Sequence, residues 1–377
     1  MKKKLSFIFI MLLVVALVFV TGCGNNTPAD SGAPADTGAP ADAGASANTD
    51  TPADTGSSSS GETVTIRMGA GTGADNPMMT FMERFKEYAE RESDGRITVE
   101  IYPFGQLGTN AQNVQSVADG SVEMYMVPSN YWGALVPQVN TLVLPGLFDD
   151  SAHAIRGLQA GAAEMFEEDF NSVGITALGW CFLNDYILAA NKDLTDISNL
   201  TGLRIWSNPG PAYEGWLGAM GATPSLVDVS EMVSGIQNGT LDGTCGGMSL
   251  FKPFNIQSVC DYLFVGPRNV GLFPVMANLN WLNGLPDDLR EIVVEGSRIV
   301  CYEGFDSYNS IATYGYEYQI EAIELARADG MTIIEPSDEA WEKMLAASAG
   351  VTQKALEAMP VMQPYYDQLL PIAAATK

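Results

Sequence analysis

The chain has 377 residues, enough for one large or two medium domains beyond a leader. Its 45 acidic against 19 basic residues give a net charge of −26, which argues against nucleic acid or anionic lipid as a partner. It holds one histidine and five cysteines, none paired at metal-ligand spacing, which argues against a zinc site.

Lys2, Lys3 and Lys4 open the chain, and residues 5–20 are apolar. That run is shorter than the roughly 20 residues that span a bilayer, and small residues before Cys23 complete the pattern of a secretory signal. The pattern resembles a bacterial lipobox, which implies a signal peptide over 1–22 and lipidation of Cys23 as the mature N-terminus. A plain signal peptide with an incidental cysteine is the alternative. From residue 24 to about 61 the sequence is Pro, Ala, Asp, Gly, Ser and Thr with almost no large apolar side chain. Such a segment cannot offset its ordering entropy, so 23–62 reads as the anchor cysteine and a tether. A flexible tether of that length reaches about 35 Å root-mean-square.

From Thr63 the sequence alternates strand and helix patterns. Val64, Ile66 and Met68 alternate along a first strand. Pro77 to Arg91 places Met78, Phe81, Phe85, Tyr88 and Ala89 on one helical stripe. Asp75 or Asn76 would cap that helix, with Pro77 at its first position. Ile97, Val99 and Ile101 predict a second strand, Gly105–Gly120 a loop and helix, and Val122–Val127 a third strand. A helix is expected near 151–170 and a strand over Ile175–Trp180. This βαβαβ order predicts a mostly parallel sheet with helices on both faces.

After residue 190 the rhythm restarts with GLRIWSNPG, residues 202–210. Leu203 and Ile205 face one side of a short strand, and Arg204 and Trp206 share the other. Ser207, Asn208, Pro209 and Gly210 then turn the chain where open α/β sheets place their ligands. A helix over Pro211–Met220, a strand over Thr223–Val227, a helix over Ser230–Asn238 and a strand over Leu241–Cys245 follow. Two α/β units in one chain imply a cleft between them. From Pro286 to about Ala328 one helical pattern runs on, about 60 Å at 1.5 Å per residue, long enough to brace two units. Cys181, Cys245, Cys260 and Cys301 read as isolated buried thiols; one or two disulfides are the alternative in an exported protein.

Three chemistries are weighed. GAGTGA, Gly69–Ala74, fits a dinucleotide fingerprint, with Glu100 near the end of the next strand. An exported protein rarely meets such a cofactor, and a strand-to-helix loop whose backbone lies close to a cleft explains the glycines. No cofactor is expected. His153, the only possible triad base, reads as an exposed first-turn residue behind a Ser151 cap. Nothing in the spacing of the many carboxylates singles out a glycosidase-like pair.

Four stretches carry a family resemblance: DGRITVEIYPFGQLGTNAQNVQSVADGSVEMYMV (94–127), LVLPGLFDDSAHAIRGL (142–158), DISNLTGLRIWSNPG through LGAMGATPSLVDVSEMVSGIQNGTLDG (196–243), and WLNGLPDDLREIV (281–293). In this order they resemble the solute-binding subunits of tripartite ATP-independent periplasmic (TRAP) transporters, of the C4-dicarboxylate-binding type. The resemblance implies an α/β, two-lobed periplasmic-binding-protein-like fold with a long helix bracing both lobes. It implies lobe one from 63–183 plus 272–311, lobe two from 184–271 plus 312–350, and a C-terminal helix over 351–377 returning to lobe one. It also implies a non-enzymatic, monomeric, extracytoplasmic protein that closes on a solute and delivers it to integral membrane subunits. A ligand-sensing subunit for a receptor and an exported enzyme on the same scaffold are the alternatives.

Most family members resemble GLKIRVP in the 202–208 strand, and the last arginine clamps the ligand carboxylate. Here that position is Trp206, while Arg204 falls on a lysine position that is not a main ligand contact. Gly246 stands where the family commonly has a ligand-binding asparagine. Arg268 falls about where many members have a histidine. Trp206 offers a stacking face, Tyr186 and Val229 occupy pocket-lining positions of relatives, and Arg268, then Arg204, would be the counter-charge to an anion. Asp75, Asn76, Ser129, Trp132, Asn208 and Thr244 complete the candidate ligand-binding set.

Overall fold

The structure, a computed structural model, describes residues 61–183, 186–266, 270–302 and 311–377. The leader, Cys23, the tether and Arg268 lie outside the described residues. Eleven strands form two sheets among the described residues.

The first sheet holds β1 (Val64–Gly69), β2 (Ile97–Tyr102), β3 (Met124–Met126) and β4 (Ile175–Phe182). Around it lie α1 (Pro77–Glu92), α2 (Asn110–Asp119), α3 (Ser129–Trp132), α4 (Ser151–Gly157) and α5 (Glu167–Ser172). The chain then enters the second sheet through β5 (Tyr186–Ala190). β6 (Arg204–Ser207), α6 (Pro211–Ala219), β7 (Thr223–Ser225), α7 (Met232–Gln237), β8 (Gly243–Gly247) and β9 (Tyr262–Val265) follow. It returns through β10 (Leu272–Asn278) to the first sheet. Then come α8 (Leu279–Gly284), α9 (Asp287–Tyr302), α10 (Ile311–Ala328), β11 (Thr332–Ile334), α11 (Asp338–Ala358) and α12 (Gln363–Ala375).

The sheet orders are β2-β1-β3-β10-β4 and β11-β9-β5-β8-β6-β7. The expected, mostly parallel arrangement carries one reversed strand in each sheet. β10 runs antiparallel to β3 and β4, and β5 antiparallel to β8 and β9. Each reversed strand is the one by which the chain enters a sheet from the other sheet, so no βαβ crossover sets its direction.

Local chemistry explains the elements. Asn76, not Asp75, caps α1: its Oδ1 accepts from Met78 N at 2.9 Å, and Pro77 follows. The apolar stripe Met78, Phe81, Met82, Phe85 and Ala89 is buried against the first sheet. Thr109 and Gln112 form a capping box at the start of α2. The helix expected over 151–170 is broken. Gly161 adopts φ 108°, a conformation costly for other residues, and the chain restarts as α5 at Glu167. His153 is buried, not exposed. Asp150, not Ser151, caps α4. The imidazole accepts at Nδ1 from Asp149 N (3.0 Å) and donates from Nε2 to Ala373 O (2.8 Å), which ties α12 to α4. Both ring nitrogens thus serve structure.

Each sheet buries both faces, giving four apolar clusters. Cys181, Cys245, Cys260 and Cys301 are buried free thiols within them. Burial pushes the Cys245 and Cys260 thiols up to about 12. The long C-terminal pattern is seen as α9 and α10, with 303–310 outside the described residues. α9 packs on α1 and β4; α10 touches α1 and β4 on one side and β11 and the 248–250 turn on the other. Among the described residues no helix is long and apolar enough to cross a membrane.

Candidate functional site

A narrow cavity lies where the two sheets face one another. It sits at the carboxyl ends of the parallel strands β1, β3, β6 and β8, the position at which α/β sheets bind ligands. From the first sheet come Gly71 and Thr72 after β1, Asn76 and Met78 at the start of α1, and Asn110 at the start of α2. Met126, Val127 and Pro128 at the end of β3, Tyr131 of α3 and Phe273 of β10 join them. The second sheet supplies Trp206, Asn208, Val229, Gly247, Ser249 and Leu250. The GAGTGA loop is thus the backbone wall of a cleft, because Gly71 and Thr72 lie in it.

Trp206 is both core and wall. It is 1% exposed and packs with Ile187, Val229, Met232 and Leu263. Its Nε1 donates to Val227 O at 2.9 Å, so the indole N–H is spent on protein and only apolar ring surface is left to the cavity. Gly246 explains how an indole fits there. A Cβ on Gly246 would come 3.1 Å from Trp206 Cζ3 and 2.9 Å from Leu250 Cδ1. The missing side chain at 246 makes room for the ring at 206.

The polar lining is largely bonded to itself. Asn208 Nδ2 donates to Tyr186 Oη at 2.6 Å, and Tyr131 Oη donates to Asn208 Oδ1 at 3.4 Å. Tyr125 Oη donates to Asn110 Oδ1 at 2.7 Å. Burial pushes the Tyr131 hydroxyl up to about 12, with a smaller contribution from the negative charge of Asp228. Tyr186 is likewise held well above the usual tyrosine value, chiefly by burial. Both remain protonated at neutral pH. No ionised side chain lines the cavity among the described residues. An anion placed here would be buried without a cation among those residues, which is costly.

The candidate residues divide accordingly. Trp206, Asn208, Asn76 and Val229 line the cavity. Tyr186 stands behind Asn208, stacked on Tyr213 with ring centroids 4.8 Å apart. Asp75 is exposed, and the adjacent asparagine takes its capping role. Ser129 and Trp132 are buried in the turn whose Pro128 and Tyr131 face the cavity instead. Thr244 is buried beside Trp206 across β6 and β8, with no partner for its hydroxyl among the described residues. Arg204 is not at the cleft. It opens β6 at the far end from Trp206 and is exposed. Its guanidinium bonds Asp242 (Nε to Oδ2 3.1 Å) and Gly239 O (2.7 Å). Burial alone would raise the Asp242 carboxyl, but the bonds from Arg204 hold it below the usual range. Sequence reasoning missed Tyr131, Asn110, Phe273 and the Ser249–Leu250 turn. Asparagine after Thr109, as the first residue of a capped helix, was the available signal for Asn110.

Nothing in this geometry resembles a metal or nucleophile centre: among the described residues no three His, Cys, Asp or Glu side chains cluster to hold a metal. The site is a cleft between two sheets, and comparison with known proteins shows the fold that carries it. Two solved structures share the fold. The sugar acid binding protein of Advenella mimigardefordensis in complex with galactonate matches with a TM-score of 0.77 at 19% identity, covering 84% of this chain and 99% of that one. A TRAP periplasmic solute binding protein from Desulfovibrio salexigens with bound orotic acid gives 0.76 at 19% identity, covering 83% and 99%. In sequence, the C4-dicarboxylate-binding periplasmic protein of Rhodobacter capsulatus is 26% identical over 286 residues, 75% of this chain and 85% of the relative. The ectoine/5-hydroxyectoine-binding periplasmic protein of Ruegeria pomeroyi is 24% identical over 250 residues, 66% and 70% respectively. The family described as bacterial extracellular solute-binding protein, family 7, matches residues 68–358, which take in all four stretches on which the resemblance rested. The chain belongs to family 7 of the bacterial extracellular solute-binding proteins.

Proposed function

We propose that the chain captures a small organic solute of low net charge outside the cytoplasm and hands it, unchanged, to the membrane subunits of a TRAP-type transporter. An organic acid with at most one carboxylate, or a related polar metabolite such as a polyol or sugar derivative, fits. The observation that carries this reading is the cavity itself: Trp206, Met78, Met126 and Phe273 give apolar walls, amides and hydroxyls give polar points, and no ionised side chain lines it among the described residues. Relatives named for dicarboxylate and for ectoine, and structures holding galactonate or orotic acid, support a small polar metabolite as the solute. The ring and thioether surfaces favour a solute with an apolar or planar face.

The test is a calorimetric and thermal-shift screen across monocarboxylates, aromatic acids, sugar acids, polyols and zwitterions. A binder at 100 times its Kd stabilises the fold by about 2.7 kcal/mol. It should also compact the chain in small-angle scattering as the lobes close. Scattering unchanged at saturation, or chemical turnover of the binder, would overturn the proposal.

In the same reading Cys23 carries the lipid that holds a monomer at the membrane, and the tether lifts the lobes from its surface. Cys23→Ser is expected to leave the precursor unprocessed or release the protein into the medium. Normal processing and retention of that variant would reject the anchor.

A further inference from the structure

We propose that Asn76 is a latch between the lobes, and not a contact of the solute. It lines the cavity and follows a glycine-rich loop, so a ligand role is its obvious reading. Its bonds spend both of its N–H donors on protein. A carboxamide has two N–H donors and one carbonyl oxygen. Oδ1 caps α1 by accepting from Met78 N at 2.9 Å. Nδ2 donates to Thr72 Oγ1 at 3.0 Å and to Ser249 O at 2.9 Å. Ser249 lies 173 residues away, on the turn after β8 of the second sheet. Both donors and one lone pair of the oxygen are thus used on protein, and Asn76 is 2% exposed.

The bond to Ser249 O reaches further. The same carbonyl accepts from Tyr318 Oη at 3.3 Å, and Tyr318 lies on α10, which touches both sheets' layers. On the other side of the cavity Asn130 Nδ2 donates to Pro209 O at 2.5 Å, beside the Tyr131–Asn208 bond. Protein groups therefore bridge the cleft directly at two rims, whatever solute fills it. Asn76 is the member that ties closure to the first helix: its oxygen fixes α1 while its amide grips the opposite lobe. It is a positioning residue for closure.

Asn76→Asp separates the two roles. Aspartate caps a helix as well as asparagine does, but has no N–H to give to Ser249 O. Asn76→Ser keeps a cap without adding charge. Spin labels at Glu83→Cys on α1 and Gln237→Cys on α7, both exposed positions, report the distance between lobes in the mature full chain without any added solute. The four described native thiols are buried and will not compete for label. Both variants are expected to move the distance distribution to longer values, raising the open-to-closed ratio roughly five- to tenfold, the weight of one buried hydrogen bond. Asn76→Ser should melt close to the parent, since it keeps a cap and buries no charge, whereas Asn76→Asp should melt lower because it buries a carboxylate. Distributions that superimpose on the parent's would overturn the latch. So would equal opening accompanied by loss of helical signal, which would assign the effect to the cap. Because no solute is used, failure here leaves the proposed solute class untouched.

Discussion

Succinate and malate should bind the wild-type chain at least about 30-fold more weakly than the solute it captures. The factor follows from the roughly 2–5 kcal/mol cost of a buried carboxylate whose partner charge is missing. The family resemblance implies an arginine clamp on that carboxylate at the position of Trp206, whose indole N–H is bonded to Val227 O here. Arg204 cannot substitute, since its guanidinium is held by Asp242 and Gly239 O at the other end of β6. Calorimetry on wild type, Trp206→Phe and Arg268→Ala checks this. Trp206→Phe keeps a ring face, forfeits the bond to Val227 O and leaves a smaller void than alanine would, so it should cost the fold about 1–3 kcal/mol. Trp206→Ala is a poorer probe, because emptying a fully buried indole site costs about 3–5 kcal/mol. Tight binding of succinate by wild type, unchanged in Trp206→Phe, would sink this account of the site.

Gly246→Asn is the second large effect. Asparagine is what the family resemblance implies there, yet in this chain it should destabilise the fold by about 1–3 kcal/mol through overpacking. Its Cβ alone would press on Trp206 Cζ3 and Leu250 Cδ1. With Trp206→Leu in the background the asparagine has space, so its cost should fall by more than half. Urea unfolding of the two single variants and the double variant measures that coupling. Additive costs would mean that the two positions changed independently.

Much of the fold was legible because it is written locally. The alternation in Val64–Gly69 and Ile97–Tyr102, the stripe of α1 and the turn after Trp206 all appear where periodicity puts them. β5 and β10 were not legible. Every residue of Tyr186–Ala190 and of Leu272–Asn278 is buried, so neither shows alternation, and Pro274 argues against a central strand. The cleft was legible from one side only. Trp206 and Asn208 follow from the strand-to-turn pattern, whereas Phe273 and Tyr131 reach them only when β10 returns to the first sheet. Arg204 shows the limit of parity arguments. It shares a strand face with Trp206, but two residues along a four-residue strand carry it from the cleft to solvent. His153 shows another: its burial depends on Ala373, 220 residues later.

The central claim is that this cleft takes a solute of low charge with an apolar or planar face. Native mass spectrometry of the chain purified from its own host, with small-molecule identification of whatever is released on unfolding, tests it most directly. The account predicts a single metabolite with at most one carboxylate and a ring or apolar face. Stoichiometric release of a dicarboxylate such as succinate, fumarate or malate would contradict it.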